Sequence, residues 1–258
     1  MGLDPMLRQL FSAADIPTGR AILVHARLRG LHKHYGAAYQ QLSQQLLHQL
    51  LSYNPQLLLI PCYTIYSFLS GGVFQRELSH SEVGRFSEEL RIMKFSRTSD
   101  PMYSVLDILN RLPAGLRYDA TFGTKSVCDH LYRNNAIIIN IDMPGFYATP
   151  IHQLELNANI NYRHIHRVNG HIQCGSGNWQ PITYQAYLRN IANNGAVYPP
   201  YNQQRRQKYL IEKGVIHATE HNGITLQWAE LNKFQNAITD ALNNNINFLI
   251  DQTGSPRQ

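Results

Sequence analysis

Three short and almost entirely apolar segments constrain the fold of this chain more than any other feature of its sequence. They lie at residues 21–25 (AILVH), 56–61 (QLLLIP) and 136–142 (AIIINID). Segments of this length and composition are typical of strands buried on both faces. Between the first two, residues 36–51 place four leucines on one face of a helix. Strands that alternate with amphipathic helices predict an α/β fold whose sheet is mostly parallel and flanked by helices.

Later segments continue this alternation and add antiparallel hairpins. The pattern predicts helices at 79–93, 126–133, 149–157 and 229–250, and a strand at 102–109. A hairpin is predicted at Asn169-Gly170, between strands at 162–168 and 171–174, and a second one at His221-Asn222-Gly223, between 215–220 and 224–226. Neither a repeat nor a Gly/Ser/Pro-rich linker divides the sequence, so we expect residues 1–258 to form a single domain. Ligands of such folds bind at the carboxyl ends of the strands, which directs attention to the loops after Ile60 and Ile141.

Charge and cysteine usage narrow the classes of protein to consider. The chain has 23 basic and 17 acidic side chains, a formal net charge of +6, and three widely spaced cysteines. These cysteines favour neither a disulfide framework nor structural zinc, and they fit a reducing cytosol. No apolar run approaches the roughly 20 residues of a membrane span and no secretory signal is evident, so we expect a soluble cytoplasmic protein without a membrane partner. The basic balance favours anionic small molecules, whereas scattered basic residues argue against nucleic acid.

The clearest candidate chemistry lies just after the third apolar segment. Thr149 is expected to cap a helix with Pro150 at its first position, which places His152 and Glu155 on one helix face. A carboxylate beside an imidazole fixes its tautomer and raises its basicity, as a general base requires. A solvent-exposed His/Glu pair on an ordinary helix is the alternative. A zinc-protease motif, a phosphate loop and a nucleophile elbow are all missing from the sequence, so no metal is expected.

A second candidate is Asp100, which Pro101 pushes toward an extended conformation, so that its carboxylate could point from a loop into a ligand site. The alternative is an aspartate that only caps its turn. Tyr63, Tyr66 and Tyr103 could line a sugar pocket or could be half-buried core residues.

The order of several motifs resembles the aminoglycoside 3-N-acetyltransferase family. AILVHARLRGL (21–31) is similar to that family's first strand and coenzyme-A-binding turn, and IPCYTIYSFLSGGVF (60–74) to its PTFTYSF loop. SHSEVGRFSEELR (79–91) is similar to TPSxVGxLxExFR, and RTSDPMYSV (97–105) to RSxHPxxSV. FGTKSVCDHLY (122–132) resembles FGxxSxxxxLY, and residues 149–155 with Tyr162-Arg163 and Gly170 match TxLHxxE…YR…G. Each motif is weak, but six in one order are fairly specific.

The resemblance implies transfer of an acetyl group from acetyl-CoA to an amine, without a metal. It assigns His152 as the base and Glu155 as its orienting carboxylate, with Asp100 as a third catalytic candidate. The residues it implies for coenzyme A are His25, Ala26, Arg27, Leu28, Arg29, Ser104 and Val105. Those expected at the acceptor are Tyr63, Tyr66, Ser67, Tyr103 and Asp142.

Two departures from the family pattern bear on the ligands. Ala26 and Arg27 replace serines of the coenzyme-A turn, so the pantetheine contacts there are in doubt. Asp100 replaces the histidine of the family's His-Pro pair, which is similar to members linked to surface-sugar biosynthesis.

Charge indicates the class of acceptor. An aminoglycoside is a polycation and needs a carboxylate-rich pocket, whereas an excess of basic residues suits an anionic acceptor. We therefore expect a nucleotide-linked amino sugar, acetylated in polysaccharide or glycan assembly. The alternatives are an aminoglycoside-modifying resistance enzyme and a non-catalytic binding module of the same fold. The oligomeric state is open, and a homodimer is one option.

Overall fold

The computed structural model describes residues 2–191 and 199–251. Its helices are α1 (Leu3–Ala13), α2 (Arg29–Tyr35), α3 (Tyr39–Leu51), α4 (Ile65–Gly71), α5 (Arg85–Ile92), α6 (Val127–Arg133), α7 (Ile151–Asn157), α8 (Gln203–Glu212) and α9 (Leu231–Asn244). Its strands are β1 (Ala21–Ala26), β2 (Leu57–Pro61), β3 (Val73–Gln75), β4 (Ser96–Arg97), β5 (Val105–Asp107), β6 (Ile137–Ile141), β7 (Arg163–Gln173), β8 (Gln180–Arg189), β9 (His217–His221) and β10 (Ile224–Glu230). None of the helices in these ranges is both long and apolar enough to cross a membrane.

The three apolar segments form the centre of a seven-stranded sheet. Its strand order is β4-β5-β2-β1-β6-β10-β9, with β1 parallel to both β2 and β6. Ile22 lies opposite Leu58 on one side and Ile137 on the other. The expected α/β sheet flanked by helices is confirmed, and its parallel pairing is confined to these three strands while antiparallel strands extend it in both directions.

The core is divided by the sheet, because alternate side chains of a strand point to opposite faces. Ile22, Leu58 and Ile139 pack with α1 and α3 on one face. Leu23 and Ile138 pack with α6, α7 and α9 on the other. Burial on both sides explains why the central strands are apolar throughout.

The second sheet contains a hairpin at a different place from the one predicted. It has the order β3-β7-β8, and β7 continues through Asn169-Gly170 without turning. The prediction of a turn there is wrong because Gly170 serves a close approach of two backbones. A Cβ atom on it would lie 2.3 Å from the carbonyl oxygen of Gly72. The chain reverses only after Gln173, and β8 then pairs with β7.

The predicted turn at His221-Asn222-Gly223 is confirmed. It joins β9 to β10, with positive φ angles of 52° at Asn222 and 73° at Gly223, as a tight hairpin turn requires. Because β10 continues to Glu230, the last helix begins at Leu231 rather than at 229, and it ends at Asn244.

Candidate active site

Helix α7 is held at the carboxyl end of the central sheet by the loop that follows β6. Asn140, buried near the end of β6, accepts a hydrogen bond from the Tyr147 amide (2.6 Å) and donates one to the Tyr147 carbonyl (2.9 Å), which closes the loop. The expected cap is wrong, because the Thr149 hydroxyl accepts from the Tyr63 hydroxyl (2.9 Å) and α7 starts without a side-chain cap. Thr149 thereby ties the loop after β2 to the start of α7.

His152 and Glu155 are in direct contact, as their spacing predicts. Nδ1 of His152 lies 2.6 Å from Oε2 of Glu155. The glutamate side chain is fully buried, and 17% of the histidine side chain is exposed. The alternative of a solvent-exposed pair therefore does not describe these residues.

Two further side chains complete the surroundings of the carboxylate. Nε of Arg163 lies 2.9 Å from Oε2 of Glu155, and the Tyr201 hydroxyl donates a short hydrogen bond to Oε1. Nη2 of Arg163 also donates to the Tyr201 oxygen (2.8 Å) and lies 3.1 Å from Nδ1 of His152. Arg163 was included in a sequence motif but was assigned no function there. Tyr201 was missed, because its separation of 46 residues from Glu155 leaves no local pattern.

Burial and charge set the protonation of this group. Burial lowers the pKa of His152 to about 4, and the positive charge of Arg163 acts in the same direction. Glu155 raises this pKa, as expected from the sequence, but its effect is outweighed. Burial opposes the charge of Glu155, but the contacts with His152 and Arg163 outweigh it and lower the pKa of the carboxyl to about 2. At neutral pH the pair is thus an uncharged imidazole and a carboxylate. The imidazole proton lies on Nδ1, toward the carboxylate, and Nε2 carries the free lone pair.

Aromatic rings hold the imidazole in place. The Phe122 ring meets it edge-on with centroids 5.6 Å apart, and the Tyr201 ring is stacked at 6.2 Å. Phe122 also contacts Tyr103, which meets Tyr63 edge-on at 5.0 Å. These rings connect His152 to the loop after β2.

A cavity of about 410 Å³ lies where the carboxyl ends of β1, β2 and β6 meet. His25, Ala26, Arg27 and Tyr63, all predicted ligand residues, line it. Thr149, in its wall, is three residues before His152. This is the position at which the fold class is expected to bind ligands.

Two of the residues that line this cavity, His25 near the end of β1 and Arg27 just after it, carry polar side chains. Nε2 of His25 is buried without a hydrogen-bond partner among residues 2–191 and 199–251, and burial lowers the pKa of this histidine to about 4. Arg27 is exposed, with its Nε 3.6 Å from Oδ2 of Asp142. Asp142 also accepts from the Gly30 amide (2.9 Å), so this carboxylate holds the turn. The next two residues predicted to bind coenzyme A differ in exposure. Leu28 is buried, and Arg29 is exposed at the start of α2.

Several other predicted site residues occupy internal positions. The buried Ser104 hydroxyl donates to the Cys62 carbonyl (2.7 Å) and accepts from Nε of Arg97 (2.9 Å), and Val105 is a core residue. The placement of Ser104 and Val105 therefore gives no support to a contact with coenzyme A.

Asp100 is also internal. Its Oδ1 accepts from the amides of Met102 (2.9 Å) and Tyr103 (2.7 Å) and from the Tyr184 hydroxyl (3.0 Å). Burial raises its pKa to about 6. These contacts are those of the turn-capping alternative.

Tyr66 and Ser67 lie at the start of α4, beside Glu82. Their amides donate to the Glu82 carboxylate at 2.9 and 2.8 Å. The Tyr66 side chain is 78% exposed, so it does not lie in an enclosed pocket.

Within the described residues, no group of three or more histidine, cysteine or acidic side chains is arranged to hold a metal ion. Neither a protein-family model nor a curated protein matches this sequence.

Solved structures of acetyltransferases share the fold. Aminoglycoside acetyltransferase AAC(3)-Xa superposes with a TM-score of 0.73 at 14% identity, over 93% of this chain and 92% of that one. AAC-IIIb in a binary complex with CoASH gives 0.70 at 12% identity, over 97% and 98%. A histidine-to-alanine variant of AAC(3)-IVa in complex with a gentamicin gives 0.69 at 13% identity, over 97% and 92%. The chain thus has the fold of these aminoglycoside acetyltransferases, which confirms at the level of fold the resemblance drawn from its motifs.

Proposed function

We propose that the protein is an N-acetyltransferase that transfers the acetyl group of acetyl-CoA to the amine of an amino sugar. The observation that carries this proposal is the uncharged His152, whose Nδ1 faces a buried carboxylate and whose Nε2 is left as a proton acceptor. The fold supports it, since one protein of that fold is bound to CoASH in its solved structure.

The chain's own residues supply the proton transfer. Acetyl-CoA provides the acetyl group as a thioester, which only an uncharged amine attacks. A sugar amine with a pKa on the order of 8 is mostly protonated at neutral pH. The uncharged fraction of the amine attacks the thioester carbon. Nε2 of His152 accepts the proton that the nitrogen loses as the C–N bond forms and the C–S bond breaks, and Glu155 stabilises the imidazolium that forms. The imidazolium then returns its proton to the leaving sulfur, so the base is regenerated.

The cavity at the strand ends fits the donor. His25 offers an unpaired buried ring nitrogen, and Arg27 places a cation at its mouth, suited to a phosphate of coenzyme A. Ala26 lies between them. We assign these three residues to the donor and leave Ser104 and Val105 out of the site.

The charges around His152 favour an anionic acceptor. Glu155 is the carboxylate that acts on it most strongly, whereas Arg163 and Arg206 are both cationic. Arg189 adds a third guanidinium, stacked 4.0 Å above the Tyr201 ring. A nucleotide-linked amino sugar, anionic overall and with one amine, fits this balance. An aminoglycoside acceptor is the second candidate, because proteins of this fold are bound to a gentamicin and to sisomicin in solved structures.

The test is release of free coenzyme A from acetyl-CoA with a panel of aminoglycosides and of UDP- and dTDP-linked amino sugars. Activity with the nucleotide-linked sugars alone supports the first acceptor class, and activity with aminoglycosides alone replaces it by the second. Titration calorimetry with acetyl-CoA measures binding of the donor. If acetyl-CoA binds and free coenzyme A is released with any acceptor, the non-catalytic binding module is excluded.

His152→Ala tests the base. We expect a loss of roughly 10²–10⁴-fold in kcat at saturating substrates. His48→Ala, at an exposed position on α3, is the matched control and should keep full activity. Turnover of His152→Ala close to that of the control would refute the assignment.

A further inference from the structure

Arg163 takes no part in the proton transfer proposed above, yet it contacts the imidazole, the Tyr201 hydroxyl and the Glu155 carboxylate. Its side chain is 5% exposed. One guanidinium lies beside Oε2 of Glu155 (2.9 Å) and donates to the hydroxyl of Tyr201 (2.8 Å), which itself donates to Oε1. Its Nη1 donates to the carbonyl of Tyr187 on β8 (2.9 Å). The arginine, which lies on β7, therefore connects the Glu155 carboxylate and Tyr201 to β8 of the three-stranded sheet.

We propose that Arg163 is a positioning residue of the site, which holds the Glu155 carboxylate against Nδ1 of His152 and keeps Nε2 free to accept a proton. The contribution of Arg163 to catalysis rests on the proposed acetyl transfer, whereas the effect of Arg163 on the pKa and tautomer of His152 can be measured without any substrate.

The reason lies in the choice of counter-charge for Glu155. A fully buried carboxylate needs a cation beside it, and within the described residues the groups in direct contact that can supply one are the Arg163 guanidinium and a protonated imidazole of His152. With Arg163 in place, the carboxylate is balanced while the imidazole stays uncharged. Without it, a proton on His152 would supply the missing counter-charge, so a larger fraction of the imidazole would be protonated near neutral pH, and the protonated fraction cannot act as a base.

The charged or titratable groups described around the imidazole come from several elements. They include Glu155 from α7, Arg163 from β7, Tyr201 from the segment before α8, the more distant Arg206 from α8, and Arg189 from β8, which is stacked on the Tyr201 ring. Arg163 and Arg206 both lower the pKa of His152, and Glu155 raises it. Removal of Arg163 and removal of Glu155 must therefore shift this pKa in opposite directions.

A purely structural role predicts a different result. If Arg163 only tied β7 to α7, its removal would destabilise the protein without a defined change at His152. Arg97 provides the comparison, because it is also buried and binds only uncharged oxygens, including those of Ser104 and Cys62.

The experiment is an NMR titration of the ring nitrogens of His152 in ¹⁵N-histidine-labelled protein without substrates, with the His152→Gln variant used to assign its signals. We expect Arg163→Met and Arg163→Gln to raise the pKa of His152 by about one to three units. We expect Glu155→Gln to lower it further and Arg97→Met to leave it unchanged. An unchanged or lower pKa in the Arg163 variants, or an equal shift in Arg97→Met, would overturn the proposal.

Arg163→Lys covers the case in which the charge-removing variants do not fold. Its ammonium keeps the charge but cannot bridge Glu155, Tyr201 and the Tyr187 carbonyl at once. We expect signals of both imidazole tautomers in place of the Nδ1–H form alone. A pure Nδ1–H form would overturn the holding role. If the wild-type protein is an active acetyltransferase but the Arg163 variants show neither the pKa shift nor the second tautomer at His152, only this inference is refuted. If the variants show these changes but the wild-type protein does not transfer acetyl groups, only the proposed function is refuted.

Discussion

Glu155→Gln is the substitution whose cost the structure defines most sharply. The glutamine keeps the shape of the side chain and removes the charge that faces Arg163 at 2.9 Å. Both side chains are almost completely buried, so water cannot replace the lost partner. Removing one member of a buried ion pair costs about 3–5 kcal/mol, because the other charge stays behind.

The pKa of Glu155 agrees in direction. Contacts with His152 and Arg163 lower it to about 2 in the folded protein, below the ordinary 4.5. A depressed pKa stabilises the fold fully above pH 4.5, and this contribution is lost as the pH falls toward 2. The penalty of the variant should therefore be complete at pH 7 and shrink below pH 4.5.

Urea unfolding at pH 7, followed by circular dichroism, measures the effect. Glu212→Gln is the matched control, since Glu212 is 61% exposed and lies 3.8 Å from Lys208 on the surface of α8. It should change the free energy of unfolding by less than about 1 kcal/mol. Adding Arg163→Met to Glu155→Gln should cost less than the sum of the two single losses. A loss below about 1 kcal/mol for Glu155→Gln would refute the reasoning.

Three further predictions concern other positions. Gly170→Ala should lower the free energy of unfolding by about 1–3 kcal/mol, because its Cβ would meet the Gly72 carbonyl at 2.3 Å, and an unchanged urea midpoint would contradict this. Asp100→Ala should cost about 1–3 kcal/mol by removing the acceptor of two turn amides while the acceptor KM stays constant, and a raised KM in steady-state kinetics would return Asp100 to the acceptor site. His25 has its pKa lowered to about 4, so the unfolded chain takes up its proton first as the pH falls below 6.5. His25 should then contribute a loss of stability of up to about 1.4 kcal/mol per pH unit between 6.5 and 4. His25→Gln should reduce the slope of stability against pH by that amount in urea titrations at several pH values, and an unchanged slope would contradict this.

Local patterns in the sequence were sufficient where the structure depends on local properties. The central strands follow from burial on both faces, and the turn at Asn222-Gly223 follows from two residues that tolerate positive φ. The same reasoning failed at Asn169-Gly170, where the glycine is needed for an approach to Gly72, almost a hundred residues earlier. A dipeptide signal does not distinguish these two uses of glycine.

Helix α5 shows the same limit at a boundary. The sequence predicts a helix from residue 79, but it begins at Arg85. Tertiary contacts hold the preceding residues, since the Glu82 amide donates to the Tyr63 carbonyl (2.8 Å) and the Ser79 carbonyl accepts from Arg97 (2.5 Å). Helical spacing alone cannot reveal such competition.

The candidate site divides in the same way. His152 and Glu155 are three residues apart, so their contact follows from helix geometry. Tyr201 is held by a bridge to Ile250, beyond α9, and by its contacts with Arg163 and Glu155, and no local pattern encodes such long-range contacts. The Asp100-Pro101 pair fits both a carboxylate in a ligand site and an aspartate that caps its turn. Only the hydrogen bonds seen in the structure distinguish the two.

The two outer strands of the seven-stranded sheet bear on how copies of this protein meet one another. β4 has only two residues, and β9 presents His217, Glu220 and His221 along its length. A short edge offers too few backbone groups to recruit a strand, and the exposed Glu220 carboxylate opposes the pairing of two β9 edges. Extension of the sheet from one copy into the next is therefore disfavoured at both ends. A homodimer of this protein would have to form through its helices or its small sheet.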